Sequence, residues 1–261
     1  MSTDFEGHLN VSIAAVRKAG GVLLDRIGKV HAREKGRADL VTEADLAAQE
    51  IVRKTVMEAF PSHRFVGEED AVGLVAESES AYRWIVDPLD GTTNYVHQVP
   101  FFCTSLALEH NGQIVVAAIY DPCRDECFTA IRGQGAKLNG QPIRTSNAPH
   151  LADSLVSAGF ATVVTPDSPD LRLFNAIVGV CQAMRRTGSA ALNLAYVAAG
   201  RFDAAYAFGA KIWDFAAGLL LVEEAGGIVS DWTGSPLRMQ HSHFLAAANP
   251  TVHREIREFV R

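Results

Sequence analysis

Arg83-Trp84-Ile85-Val86-Asp87-Pro88-Leu89-Asp90-Gly91-Thr92-Thr93-Asn94 combines a strand with a turn rich in functional groups. Trp84, Ile85 and Val86 are a short apolar, β-favouring run that reads as a buried strand. It is expected to stop at Asp87, because Pro88 biases the residue before it away from helix and cannot extend a ladder. Two carboxylates, Asp87 and Asp90, therefore leave a strand end together, close enough to share a cation or to flank two. Behind them, Gly91-Thr92-Thr93 can expose backbone N–H groups to an anion if a helix starts there. Carboxylates beside bare N–H groups suit a phosphate held on hard cations such as Mg²⁺. The same Asp-Pro-x-Asp-Gly string is also ordinary turn chemistry, so the wider chain has to decide between the two.

Upstream, Arg64-Phe65-Val66-Gly67 resembles a short strand running into Glu68-Glu69-Asp70. An acidic triplet is ordinarily a solvated charge run. Here, however, one acidic cluster follows an apolar strand at Glu68 and Glu69 and another follows a second strand at Asp87 and Asp90, and strand ends in α/β proteins are where ligand groups gather. Leu74 to Ser80 is polar and suits a surface loop or short helix. Nearer the start, Leu9, Ile13, Val16, Leu23 and Ile27 mark an amphipathic helix, weakened by Gly20-Gly21 and stopped at Gly28. A second helix is expected from a Thr42 cap to about Phe60, before Pro61, with Asp45 in its first turn and Leu46, Ile51, Val52 and Val56 buried. An Asp in a first turn is favoured by the helix dipole and needs no catalytic role.

Downstream, Phe101 to Leu108 and Ile114 to Tyr120 read as strands joined by an Asn111-Gly112 hairpin turn, with a third strand over Cys127 to Ile131. Gly133-Gln134-Gly135 lacks the context of a nucleotide-binding glycine loop and reads as a tight turn, as does Asn139-Gly140. This half is expected to be a meandering antiparallel sheet. After a polar boundary at Thr145 to Pro149, strands are expected at Leu155 to Phe160 and Asp203 to Phe208, and helices over Asp170 to Val178, from the Gly188-Ser189-Ala190-Ala191 region to Ala199, and over Phe215 to Ala225. Gly226-Gly227 then leads to an Ile228-Val229 strand. Small residues at a helix start let a ligand approach the backbone, although close helix packing explains them equally well. Asp214 opens a largely apolar helix beside Trp213, where a capping Asp is also natural.

With 261 residues and 48% apolar content the chain can bury a large core, and it reads as a single domain over 1–261 with halves at 1–144 and 150–261. A net charge of −6 argues against a nucleic-acid surface. Cys103, Cys123, Cys127 and Cys181 show neither a disulfide framework nor zinc spacing. His63, His97, His110, His241 and His243 have no paired Ser or Cys motif and read as surface or packing residues. No triphosphate loop of the Gly-x-x-x-x-Gly-Lys-Ser/Thr type is present, which speaks against a kinase. With no N-terminal signal and no apolar segment long enough to span a bilayer, the expected location is the cytoplasm, away from membranes.

Asp87-Pro88-Leu89-Asp90-Gly91-Thr92-Thr93-Asn94 is preceded by Asp39-Leu40-Val41-Thr42-Glu43-Ala44-Asp45 and Gly67-Glu68-Glu69, and followed by Gly188-Ser189-Ala190-Ala191 and Trp213-Asp214. In this order the motifs resemble the inositol monophosphatase family of Mg²⁺-dependent, Li⁺-sensitive phosphatases, from the first helix almost to the C-terminus. The resemblance implies an α/β fold, a layered αβαβα sandwich of the inositol monophosphatase and fructose-1,6-bisphosphatase type, in a homodimer that binds two or three Mg²⁺ per site. By resemblance, Glu68, Asp87 and the Leu89 carbonyl hold a first metal, Asp87, Asp90 and Asp214 a second, and Glu68 helps a weaker third. Thr92 and Asp45 orient or deprotonate the attacking water, Glu69 supports the site, and Lys35 is a basic residue near the carboxylates. The N–H groups of Gly91 and Thr92 take phosphate oxygens.

Clustered carboxylates repel one another, which makes divalent binding the natural relief. Metal-assisted attack of water on a phosphate monoester then needs no covalent enzyme nucleophile. The implied substrate is a small phosphorylated metabolite, first inositol 1-phosphate, contacted by Asp90, Gly188, Ser189 and Ala190. Inositol-handling members commonly carry a Glu at the register of Ala207. Its absence opens the alternatives of histidinol phosphate, a sugar phosphate or a 3′-phosphoadenosine nucleotide on a more apolar wall. A reading from another class is a regulatory or RNA-machinery binding protein on the same fold, since some bacterial relatives have such roles; contact with nucleic acid or transcription machinery is otherwise not indicated by the residues.

Overall fold

The computed structural model describes residues 5–29, 33–36, 39–70, 80–237 and 240–260. Helix α1 (Glu6–Arg26), a small ribbon of β1 (Arg33–Gly36) and β2 (Asp39–Val41), and helix α2 (Glu43–Ala59) lead into a sheet of seven strands. In spatial as in chain order these are β3 (Arg64–Gly67), β4 (Tyr82–Asp90), β5 (Cys103–His110), β6 (Gln113–Asp121), β7 (Glu126–Ile131), β8 (Ala136–Leu138) and β9 (Gln141–Pro142). A short helix, α3 (Thr92–Val96), follows β4. Only the β3–β4 pair is parallel; the rest is the expected antiparallel meander. Its turns at Asn111-Gly112 and Asn139-Gly140 have positive φ at both residues, the geometry that matches strand twist. The expected loop from Leu74 to Ser80 lies outside the described residues except at its last residue.

The second half supplies a five-stranded sheet, ordered β11-β10-β12-β14-β13, from β10 (Leu155–Gly159), β11 (Ala183–Arg185), β12 (Ala204–Phe208), β13 (Ile228–Ser230) and β14 (His243–Ala247). Its helices are α4 (Pro169–Ile177), α5 (Ala190–Ala198), α6 (Ile212–Glu224) and α7 (Pro250–Arg257). Three apolar cores separate the layers. Helices α1 and α2 bury Val16, Leu23, Val52 and Val56 against Trp84, Val86, Leu106 and Val116 on the outer face of the large sheet. Helices α5 and α6 bury Leu192, Leu194, Phe215 and Leu220 between the two sheets, against Ile85, Ala107 and Ile119 on one side and Ala205 and Ala246 on the other. Helices α4 and α7 cover the far face with Leu173, Ile177, Val252 and Ile256. The architecture is therefore the α/β sandwich in αβαβα order.

Three expectations change. Strand β4 does not stop at Asp87: pairing with β5 is regular from Tyr82 opposite His110 to Asp87 opposite Ser105, and resumes at Asp90 opposite Cys103 after a register shift. Pro88 falls inside that irregularity, where its missing N–H costs no ladder bond, and its carbonyl accepts the Thr104 hydroxyl at 2.9 Å. Gly20-Gly21 does not break α1, which is continuous; a Cβ at Gly20 would lie 2.6 Å from the Tyr120 ring, so this glycine serves close packing on β6. On α2, Leu46 is 54% exposed and Ile51 half-buried, while Ala44, Ala48, Val52 and Val56 face the core. The helix starts at the expected cap: Thr42 Oγ1 accepts from Ala44 N at 3.1 Å, and Asp45 Oδ2 accepts from Thr42 N at 2.8 Å.

At the far end of β4 from Asp90, the rings of His8, Phe60, His63, Tyr82 and His110 form a stack, with centroids 4.3 Å apart for His8 and Phe60, 4.6 Å for His63 and Tyr82, and 4.2 Å for Tyr82 and His110. These histidines are packing residues. Burial, with the nearby His8, lowers the His63 pKa to about 4. The folded state thus keeps His63 neutral while the unfolded chain protonates it near 6.5, so its contribution to stability is complete above about pH 6.5 and is lost as pH falls toward 4. Thermal melts across this window should show a shallower acid decline for His63→Phe than for the wild type; parallel curves would contradict the assignment.

Candidate active site

Parallel pairing of β3 and β4 sets Gly67 beside Val86, and Glu68 N donates to Val86 O at 3.1 Å. The two acidic strand ends seen in the sequence thus emerge at one edge. Asp87 is buried, and its Oδ1 accepts from Leu89 N at 3.0 Å. Burial raises its pKa well above the usual carboxylate range, and the charges of Glu68, Asp90 and Asp214 push it further in the same direction. Asp214, at the first turn of α6, accepts from Lys211 N at 2.7 Å. Its pKa is likewise raised well above the ordinary value, by burial and then by Asp90 and Glu68, against that backbone bond. Four carboxylates from three parts of the chain therefore sit in one another's field.

Asp90 is held differently. Its Oδ2 accepts the Ser189 hydroxyl at 2.6 Å and Ala191 N at 2.6 Å, and its Oδ1 accepts Ala190 N at 3.2 Å. Burial raises its pKa, and these bonds at the start of α5 oppose the rise. Ser189 is 1% exposed and also caps α5 by accepting from Leu192 N at 3.2 Å. Its hydroxyl is thus spent on Asp90 and on its own helix. Gly188 has a φ of +90°, and a Cβ there would lie 2.9 Å from Asn94 Nδ2. The Asn94 amide donates to Phe101 O at 2.7 Å and Thr187 O at 2.8 Å, tying the end of the DGTTN segment to the residues before α5.

A second constellation adjoins the first. The Thr92 hydroxyl lies between Leu89 O at 3.1 Å and Asp45 Oδ1 at 3.3 Å. Asp45 is 1% exposed, and burial raises its pKa to about 6, with the Glu69 charge adding to the rise and the bonds from Thr42 opposing it. A carboxylate tuned near neutrality beside a hydroxyl is suited to moving a proton. Gly91 precedes α3 with a φ of +101°, and a Cβ there would come within 3.0 Å of Phe101 O, so the turn that presents Thr92 requires glycine.

Ala207 lies on β12, 4% exposed in the core between the sheets, so it offers little surface. The side chain of Lys35 lies outside the described residues. Sequence reasoning gave no role to Gln49 or Asp70. Gln49 Oε1 accepts Glu69 N at 2.9 Å, and Asp70 Oδ2 accepts Gly67 N at 2.8 Å. The available signal was spacing, since Gln49 follows Asp45 by one helical turn.

The donor set is chemically that of a hard-cation site: carboxylates, a main-chain carbonyl and a hydroxyl, with like charges crowded at low exposure. Among the described residues, no three His, Cys, Asp or Glu side chains stand as a ready-made metal cluster. Asp87, Asp90 and Asp214 accept their closest hydrogen bonds from backbone N–H and hydroxyl groups.

The layered αβαβα sandwich, with acidic groups gathered at strand and helix ends, is the fold of a known family: the chain belongs to the inositol monophosphatase family, which matches residues 4–261. The Nus factor SuhB of Pseudomonas aeruginosa is 42% identical over 244 residues, covering 91% of this chain and 90% of that protein. The structure of extragenic suppressor protein suhB from Bartonella henselae has a TM-score of 0.93 at 37% identity, covering 98% of this chain and 99% of that one. An IMPase of Thermotoga maritima has a TM-score of 0.89 at 34% identity, covering 97% and 96%. Among the described residues no helix is long and apolar enough to cross a membrane.

An ionised Asp87 is less favourable in this fold than in the unfolded chain, because its folded pKa is raised; stability therefore rises as pH falls and the group is neutralised. Asp87→Asn, which keeps the acceptor for Leu89 N, should raise the melting temperature in chelator at pH 7.5, by about 3 °C per kcal/mol relieved. It should also shrink the further rise on adding Mg²⁺. A variant that melts below the wild type in chelator would contradict the electrostatic account.

Proposed function

We propose that this protein is a Mg²⁺-dependent phosphate monoester hydrolase whose first substrate is inositol 1-phosphate. The observation that supports it most is the shared field of Glu68, Asp87, Asp90 and Asp214 beside the Asp45–Thr92 pair. Glu68, Asp87, Asp90, Asp214 and the Leu89 carbonyl would hold two or three Mg²⁺. When bound, the ions supply acidified water near neutral pH and neutralise charge on the phosphoryl and leaving oxygens. Thr92 orients the attacking water, and Asp45 receives a proton through the Thr92 hydroxyl. Backbone N–H groups of Gly91 and Thr92 hold phosphate oxygens. Water oxygen bonds to phosphorus in line, the ester P–O bond breaks, and the leaving alkoxide takes up a proton as alcohol.

Substrate choice follows from the outer wall. Ala207 is almost fully buried and the Ser189 hydroxyl is committed to Asp90, so neither side chain offers a free group to read polyol hydroxyls. Histidinol phosphate, sugar phosphates and 3′-phosphoadenosine nucleotides are then competing substrates. We also propose a homodimer in the cytoplasm. A second reading, a regulatory role with transcription machinery, is favoured by one observation: a relative 42% identical to this chain is named a Nus factor.

Phosphate release should vanish on verified metal removal and return with Mg²⁺, and Asp214→Asn or Thr92→Ala should lower kcat by about two orders of magnitude or more. Full activity in metal-free protein would overturn the mechanism. Across inositol 1-phosphate, histidinol phosphate, fructose 1,6-bisphosphate and 3′-phosphoadenosine 5′-phosphate, several substrates should fall within about tenfold in kcat/KM, the discrimination a sparse apolar wall provides. A preference for inositol 1-phosphate of about a thousandfold would contradict the wall argument. If a strain lacking this protein were rescued by Asp87→Asn with phosphate release abolished, the binding role would be favoured instead.

A further inference from the structure

The loop that carries Glu68 is gripped by groups outside the carboxylate cluster. Gln49 is 6% exposed and uses both ends of its amide: Oε1 accepts Glu69 N at 2.9 Å, and Nε2 donates to Asp70 Oδ1 at 3.1 Å. Asp70 Oδ2 accepts Gly67 N at 2.8 Å, while Asp70 N donates to Gly67 O at 3.2 Å, closing a tight turn around Glu68 and Glu69. The Arg53 guanidinium pairs with Asp70 and lies 4.0 Å from the centroid of the Phe65 ring. A Cβ at Gly67 would fall 2.2 Å from Gln49 Oε1, so the glycine and the amide fit only together.

Asp45, Gln49 and Arg53 recur every four residues and form one ridge of α2. The first reaches Thr92, the second the backbone of Glu69, and the third Asp70. One rigid helix thus sets both the proton-handling pair and the Glu68 turn. We propose that Gln49, together with Asp70, is a positioning residue that registers Glu68 against the Asp45–Thr92 pair and thereby sets the affinity of the site for a divalent cation. Two features separate this from general packing. Gln49 directs its amide at loop groups rather than at the core, and the loop it holds is the one that presents Glu68. Displacing a ligand by a fraction of an ångström weakens a cation site whose geometry depends on such supporting bonds.

This inference rests on the proposed hydrolase reading for the role of Glu68, and its test measures binding separately from turnover. Gln49→Met keeps length and helix propensity but removes both amide bonds. Calorimetric titration of metal-stripped protein with Mg²⁺ should show about tenfold weaker binding, the usual effect of removing a group that orients a ligand. The Mg²⁺ concentration for half-maximal phosphate release should rise in parallel, while KM for the monoester at saturating Mg²⁺ stays within about twofold. Asp70→Asn, which keeps the size of the side chain, should weaken Mg²⁺ binding in the same direction and serves if Gln49→Met does not fold. Wild-type Mg²⁺ affinity in either folded variant would overturn the proposal. Wild-type protein that binds Mg²⁺ but hydrolyses no monoester would defeat the hydrolase reading alone, leaving Gln49 to be judged by calorimetry; wild-type protein that binds no Mg²⁺ would defeat both.

Discussion

The bond set around Asp90 joins the two halves of the molecule. The carboxylate stands at the end of the second strand of the large sheet, and its partners from the second half are the hydroxyl of Ser189 and the N–H groups of Ala190 and Ala191. Those residues begin the helix that fills the space between the sheets. A helix start has orphan donors and a partial positive charge, and a buried carboxylate needs both. The interaction therefore satisfies two groups that would each be costly alone. It also makes the layer packing and the geometry of the acidic cluster a single constraint, reinforced where Asn94 bridges to Thr187.

Against that favourable contact stands a destabilising one. Asp87 and Asp214 are brought into the field of Asp90 and Glu68, and every charge present raises the cost of the next. A fold selected only for stability would separate these groups or neutralise some of them. Their retention is the usual mark of a site where function opposes stability. Leu194 packed tightly on Gly218 holds α5 against α6, the helices whose first turns carry the donors to Asp90 and Asp214 itself.

Local chemistry made much of this legible. The Asn-Gly turns, the apolar run at Trp84 to Val86 and the cap at Thr42 each have a physical cause within a few residues, and each forms as expected. What sequence alone missed depends on distant neighbours. Pro88 looked like a terminator because the register shift against Cys103 is a property of the sheet. Gly20 looked like a break because Tyr120, a hundred positions away, is what fills its missing side chain. Leu46 reads as buried from its hydrophobicity, but the face of α2 that meets the large sheet carries Ala44, Ala48, Val52 and Val56. At the site, Asp87, Asp90 and Asp214 stood out as carboxylates at element ends. Asp70 was hidden in an acidic run, and Gln49 carries no charge to attract notice.

The order of the layers along the chain differs from their order in space. The large sheet is complete by Pro142, yet the helices that cover its inner face span Ala190–Ala198 and Ile212–Glu224, and a central strand of the small sheet, His243–Ala247, comes later still. During synthesis the face carrying Ile85, Ala107, Ala117, Ile119 and Phe128 is therefore finished while its cover is still inside the ribosome. Such an apolar sheet face is a surface for premature association, so the growing chain needs that face protected until the helix ending at Glu224 has emerged.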